Sequence, residues 1–132
     1  MKRKISGTIA GIGIDVVSIE RMGKSLKKQD FSKIVFTNRE QREAGRLSAR
    51  RRIEHLAGCF AAKEAFYKAL SSAGGKAGWR DVEIAGSPRK PPRLLVSSKL
   101  RRTLERKGIG TIHLSLSHDA GVAAAVVILE RR

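Results

Sequence analysis

The chain has 132 residues, 41% of them hydrophobic, which suits one compact domain over 1–132 and excludes wholesale disorder. Lys and Arg number 28 against 12 Asp and Glu, and the net charge of +16 either favours a polyanionic partner (nucleic acid, an acidic protein or a phosphate-rich cofactor) or is a solvated basic surface. Aromatics at 5% are too sparse for a base-stacking nucleic-acid binder, no apolar run reaches the roughly 18 residues of a membrane span, and Cys59, the single cysteine, excludes an internal disulfide and suits a reducing cytoplasm.

Residues 1–7 form a basic tail expected to be flexible. The apolar stretch after it is short, is interrupted by Gly11 and Gly13 and runs into Asp15, which is unlike a signal peptide. Thr8–Ile14 reads as a strand. Asp15 sits among Ile14, Val16 and Val17, where a carboxylate is costly unless it caps the chain or meets a cation. The glycines supply the first two positions of a GxGxxG dinucleotide fingerprint, but Val16 stands where the third belongs. Ser18 can cap a helix over Ser18–Lys28, with Arg21, Lys24 and Lys28 along one face. Thr37 and Glu40 have the spacing of a capping box, and Arg39, Arg42, Arg46 and Arg50 would share a face if that helix persisted past Gly45.

The segment 48–72 is the strongest helix, with Ile53, Leu56, Ala57, Phe60, Tyr67 and Leu70 at helical spacing before Gly74, Gly75 and Gly78 break it. Asp81–Gly86 and Pro92–Ser97 read as two strands joined by a turn bearing Pro and Gly. Ser97 or Ser98 can cap a short helix that ends at Gly108. Over 111–118, Ile112, Leu114 and Leu116 alternate with His113, Ser115 and Ser117, and a last apolar strand over 121–130 follows a turn at 118–121. The order strand, helices, two strands, helix, two strands is α+β, with a mainly antiparallel sheet packed on one long helix.

Glu64 is a second unusual carboxylate, four residues after Phe60 and three before Tyr67 on the apolar face of the long helix. It either pairs with Lys68 at i,i+4 or converges with Asp15 on a cation; a magnesium ion held by one or two carboxylates and substrate phosphates is the economical form of the second reading. His55, Cys59, His113 and His118 are zinc-type ligands, but no spacing pairs them, and Cys59 reads as a small buried thiol. Ser115, Ser117 and His118 suit a phosphate or an adenine, or else end an edge strand. As a nucleophile pair they are poor, because Asp119 adjoins His118 directly.

The blocks GIGIDVVSIERM, FTNREQ, FAAKEAFYKAL, WRDVEI and HLSLSHDAGVAAAVVI occur in this order. Together they resemble the holo-acyl carrier protein synthases, the small class of 4′-phosphopantetheinyl transferases, over about residues 9–130. The resemblance implies transfer of the phosphopantetheine arm of coenzyme A to a serine of an acidic apo-acyl carrier protein, in support of fatty acid or polyketide synthesis, with adenosine 3′,5′-bisphosphate released. It implies Mg²⁺ on Asp15 and Glu64, a catalytic set of Asp15, Glu64 and Lys68, and coenzyme A contacts from Lys63, Lys68, Ser117 and His118. It also implies carrier docking by Arg21, extended by Lys24 and Lys28, and a homotrimer with active sites between subunits. Nucleic acid and membrane are not expected partners. The chain departs from the family pattern in having Cys59 where an arginine often precedes the FAAKEA phenylalanine, Ser71 where a glycine often follows the second block, and Lys90–Pro91–Pro92 for the usual Gly-x-Pro turn.

Overall fold

The computed structural model describes residues 7–87 and 90–132. The basic tail lies outside them except for Gly7, as does part of the turn before Pro91. Three strands, β1 (Ile9–Ser18), β4 (Ile109–Asp119) and β5 (Val122–Arg131), form an antiparallel sheet in the order β1-β5-β4. A separate antiparallel hairpin joins β2 (Val82–Ser87) to β3 (Lys90–Val96). Four helices lie between the first and second strands: α1 (Ile19–Ser25), α2 (Phe31–Val35), α3 (Asn38–Gly45) and α4 (Ala49–Ser72); α5 (Ser98–Arg106) connects β3 to β4. The expected α+β order therefore stands, with the strands divided between two sheets. Among the described residues, no helix is long and apolar enough to cross a membrane.

The helix ends follow local chemistry. The Ser18 hydroxyl accepts from Arg21 N, and the Ser97 hydroxyl accepts from Leu100 N, each satisfying an N–H that the first turn leaves free. Thr37 and Glu40 make the expected capping box. One expectation fails at the other ends. α1 stops at Ser25, so Lys28 lies beyond it in a turn. Gly45 ends α3, so Arg46 and Arg50 do not continue the face of Arg39 and Arg42.

The core lies between α4 and the three-stranded sheet. Ala123, Ala125, Val127 and Leu129 of β5 are buried there, joined by the half-buried Ile112, Leu114 and Leu116 of β4. Phe66 and Leu70 of α4 are fully buried, each worth roughly 2–3 kcal/mol of transfer free energy. β1 inverts the usual pattern. Its glycines, Gly11 and Gly13, face α4, and a Cβ on either would land on a helix carbonyl, Ala69 O or Ala65 O respectively. Its large side chains, Ile12, Ile14 and Val16, point outward and are 61%, 59% and 61% exposed.

Ala120 and Gly121, with φ of 49° and 80°, form the two-residue turn between β4 and β5. Positive φ at both central positions is the type I′ hairpin geometry, which favours Asn-Gly. Ala120→Asn is therefore expected to stabilise the fold by about 0.5–1 kcal/mol, read as a raised urea midpoint with unchanged slope.

Candidate active site

The glycine face of β1 determines where Asp15 goes. Gly11, Gly13 and Asp15 alternate onto one side of the strand, and the two glycines let that side press against the backbone of α4. Ala61, Ala65 and Ala69, all fully buried, form the matching row of small residues on the helix. Glu64 and Lys68 lie one position before the last two, so they flank the same seam. Lys68 Nζ donates to Asp15 Oδ1 at 3.1 Å and to Ile14 O at 2.9 Å. Burial, and then the charge of Asp15, push the Glu64 carboxyl above the usual carboxylate range, while Lys68 pulls it part of the way back. Among the described residues Lys68 is paired with Asp15 rather than with Glu64, so the i,i+4 alternative is not the one adopted. Phe60 and Tyr67, one turn either side of Glu64, pack against Trp79, with ring centroids 5.3 and 5.2 Å apart, and the Tyr67 hydroxyl donates to Gly78 O at 2.6 Å.

Lys63 is elsewhere, which corrects its expected place at the phosphates. Its side chain is fully buried, and its ammonium meets Glu40 Oε1 at 2.7 Å, Val35 O at 2.8 Å and Trp79 O at 3.0 Å. These partners take all three of its N–H donors. Glu40 is the residue that the sequence reading placed only as a cap. Its Oε1 also accepts from Thr37 N, and its Oε2 accepts from Ile84 N, so one buried carboxylate ties α3, α4 and β2 together. The clue lay in spacing: positions 59, 63, 66 and 70 form one helical face, and Cys59, Phe66 and Leu70 are all apolar. A lysine on that face has to bring a carboxylate with it.

Cys59 is buried at 2% exposure, its thiol pushed up by burial and then by Glu40, and its Sγ lies 3.7 Å from His55 Nε2. It packs the core as the small thiol expected. Among the described residues no three His, Cys, Asp or Glu side chains gather as a metal cage.

Ser117 and His118 are exposed at the end of β4. Asp15 is opposite Ala125, and Ala125 is opposite Leu116, so β5 separates these two residues from the carboxylates within one chain. Arg21, Lys24 and Lys28 are exposed beyond the end of β1, with Lys24 Nζ 3.7 Å from Glu20. Ser18 both ends β1 and caps α1, so Asp15 and Arg21 belong to one continuous strand-to-helix segment.

A family model described as the 4′-phosphopantetheinyl transferase superfamily matches residues 11–127. The holo-[acyl-carrier-protein] synthase of Halalkalibacterium halodurans is 42% identical over 125 residues, covering 93% of this chain and 97% of that protein. The synthase of Streptomyces griseus is 43% identical over 123 residues, covering 92% and 98%. Among solved structures, the holo-[acyl-carrier-protein] synthase from Neisseria meningitidis aligns with a TM-score of 0.79 at 30% identity, covering 93% of this chain and 99% of that one. The Bacillus anthracis synthase, solved in complex with CoA (3′,5′-ADP), aligns with a TM-score of 0.77 at 33% identity, covering 96% and 100%. With two carboxylates and a lysine gathered on the β1–α4 seam and matches across nearly the whole chain, the protein belongs to the 4′-phosphopantetheinyl transferase superfamily and, like its holo-[acyl-carrier-protein] synthase relatives, is a transferase.

Proposed function

We propose that the chain transfers the 4′-phosphopantetheine of coenzyme A to a serine hydroxyl of an acidic apo-acyl carrier protein, in the cytoplasm and in support of fatty acid synthesis. The observation that carries this reading is the convergence of Asp15, Glu64 and Lys68 on one seam. In the reaction the serine oxygen bonds to phosphorus as the bond to the bridging oxygen breaks, and adenosine 3′,5′-bisphosphate leaves.

The donor set fits Mg²⁺. Asp15 and Glu64 are hard oxygen ligands close enough to repel, and an ammonium already rests against one of them. Two carboxylates without a third suit a cation that shares its remaining positions with substrate phosphates. When bound there, Mg²⁺ would neutralise the charge gathering on the pyrophosphate. Glu64, the carboxylate that Lys68 does not pair with, takes the serine proton. Lys68 faces the phosphates, and Lys63 is left out of the coenzyme A site because its ammonium is fully committed inside the core.

Arg21, Lys24 and Lys28 receive the acidic carrier, which gives part of the +16 charge a purpose and brings the serine toward Asp15. The exposed row of Ile12, Ile14 and Val16 lies beside Ile128, Val126 and Ala124 on the outer face of the sheet, and this supports burial against further copies of the chain. In the homotrimer we propose, the outer faces pack together, and Ser117 and His118 of one chain reach the coenzyme A bound at the Asp15 and Glu64 of the next. Ile14→Glu is expected to give monomers and to lose most activity, as read by light scattering on a sizing column. A trimer that persists in this variant contradicts the assigned face.

The test of the function is the intact mass of an apo-acyl carrier protein incubated with the chain, coenzyme A and Mg²⁺. Addition of one phosphopantetheine is expected. No addition to several carriers by folded protein contradicts the reading.

A further inference from the structure

The two lysines of the FAAKEAFYKA block are used in opposite ways. Lys63 is sealed in, and each of its donors is met by protein oxygen. Lys68 is 55% exposed and touches two oxygens, Asp15 Oδ1 and Ile14 O, both on β1. It extends from the helical turn that carries Glu64, so its charge bears on both carboxylates at once. Asp15, by contrast, keeps 16% side-chain exposure, and the glycine seam fixes its place. The more exposed member of the pair is therefore the ammonium.

We propose that Lys68 is a built-in competitor for the divalent cation: its ammonium holds the Asp15 carboxylate, a cation entering between Asp15 and Glu64 displaces it, and the released ammonium turns to the phosphate oxygens of coenzyme A. This rests on the reading of Asp15 and Glu64 as the cation's ligands. A positive charge already seated on Oδ1 both blocks that oxygen and repels a 2+ ion, so it weakens cation binding. The half-exposed side chain can leave at modest cost, because an ion pair of this kind is weak in water. Phosphate that captures the ammonium removes the competitor, so the substrate and the cation bind cooperatively through one side chain, and each strengthens the other by the same factor.

The experiment is a Mn²⁺ titration of the full chain at pH 8 without coenzyme A, following the electron paramagnetic resonance signal of free Mn²⁺. Lys68→Met is expected to bind Mn²⁺ roughly three- to tenfold more tightly than the parent, and Asp15→Asn to lose the site in either background. Equal or weaker binding by Lys68→Met overturns the competition and leaves the carboxylate pair as the cation site. If neither the parent nor Lys68→Met binds Mn²⁺ at millimolar concentration, both this inference and the metal reading beneath it fail.

Discussion

Gly13→Ala is expected to cut transfer activity at least about a hundredfold and to lower the thermal midpoint clearly. The added Cβ would land on the Ala65 carbonyl oxygen and would lie 2.9 Å from Ala69 N. Both are backbone atoms of α4, inside a 24-residue helix that cannot yield locally, so β1 has to lift. Overpacking of this kind costs about 1–3 kcal/mol, and sometimes more. The functional cost is larger, because Asp15 is two residues along the same face and moves with the strand; a shift of about 1 Å at a reacting centre is worth roughly a hundredfold in rate. Gly58→Ala is the control. Nothing lies within 4 Å of its new Cβ, and it fills a helix interior, so it is expected to stabilise by about 0.5–1 kcal/mol with activity unchanged. Carrier phosphopantetheinylation measured by intact mass, beside thermal unfolding, checks both. Activity of Gly13→Ala within twofold of the parent contradicts the role given to the seam.

The second large effect belongs to Lys63. Lys63→Met leaves the Glu40 carboxylate buried without its cation, which costs about 3–5 kcal/mol out of a total stability of about 5–15 kcal/mol. The loss is expected as a steep fall in the urea midpoint and poor recovery of soluble protein at 37 °C. Adding Glu40→Gln removes the stranded charge while keeping an acceptor for Ile84 N or Thr37 N, so the double variant is expected to regain part of the loss. A loss below 1 kcal/mol in Lys63→Met would mean that Glu40 is held by its backbone donors alone. An ammonium bound to phosphate would instead give a variant that folds normally and binds coenzyme A poorly.

The outcome for the two lysines shows where the sequence was legible and where it was not. The caps at Ser18, Thr37 and Ser97 were legible because each depends on residues three apart. Alternation in β4 was legible because one face of a strand has a period of two, and the α4 pattern because apolar residues recur each turn. Asp15 and Glu64 stood out as carboxylates in apolar elements, and the fold brings them together. What joins them was harder to read. GIGID looks like a phosphate-binding turn until its partner is known to be a row of alanines 50 residues on; the glycines serve contact between two backbones. Lys63 is the harder case because the two lysines of its motif, five residues apart, are turned about 140° from each other by the helix, one into the core and one to the seam. The length of α1 was overestimated because Leu26 and the lysines after it carry no stop signal, and the end at Ser25 is decided by tertiary context.

The central claim is that Asp15 and Glu64 act as one unit. A double-mutant cycle on the rate of phosphopantetheine transfer tests it, with Asp15→Asn, Glu64→Gln and the pair compared with the parent at saturating coenzyme A and Mg²⁺. Each single variant is expected to lose at least about a hundredfold in rate, and the double variant about as much as the worse single, because residues that serve one centre are not additive. Losses that multiply in the double variant, or a single variant close to the parent rate, would contradict it.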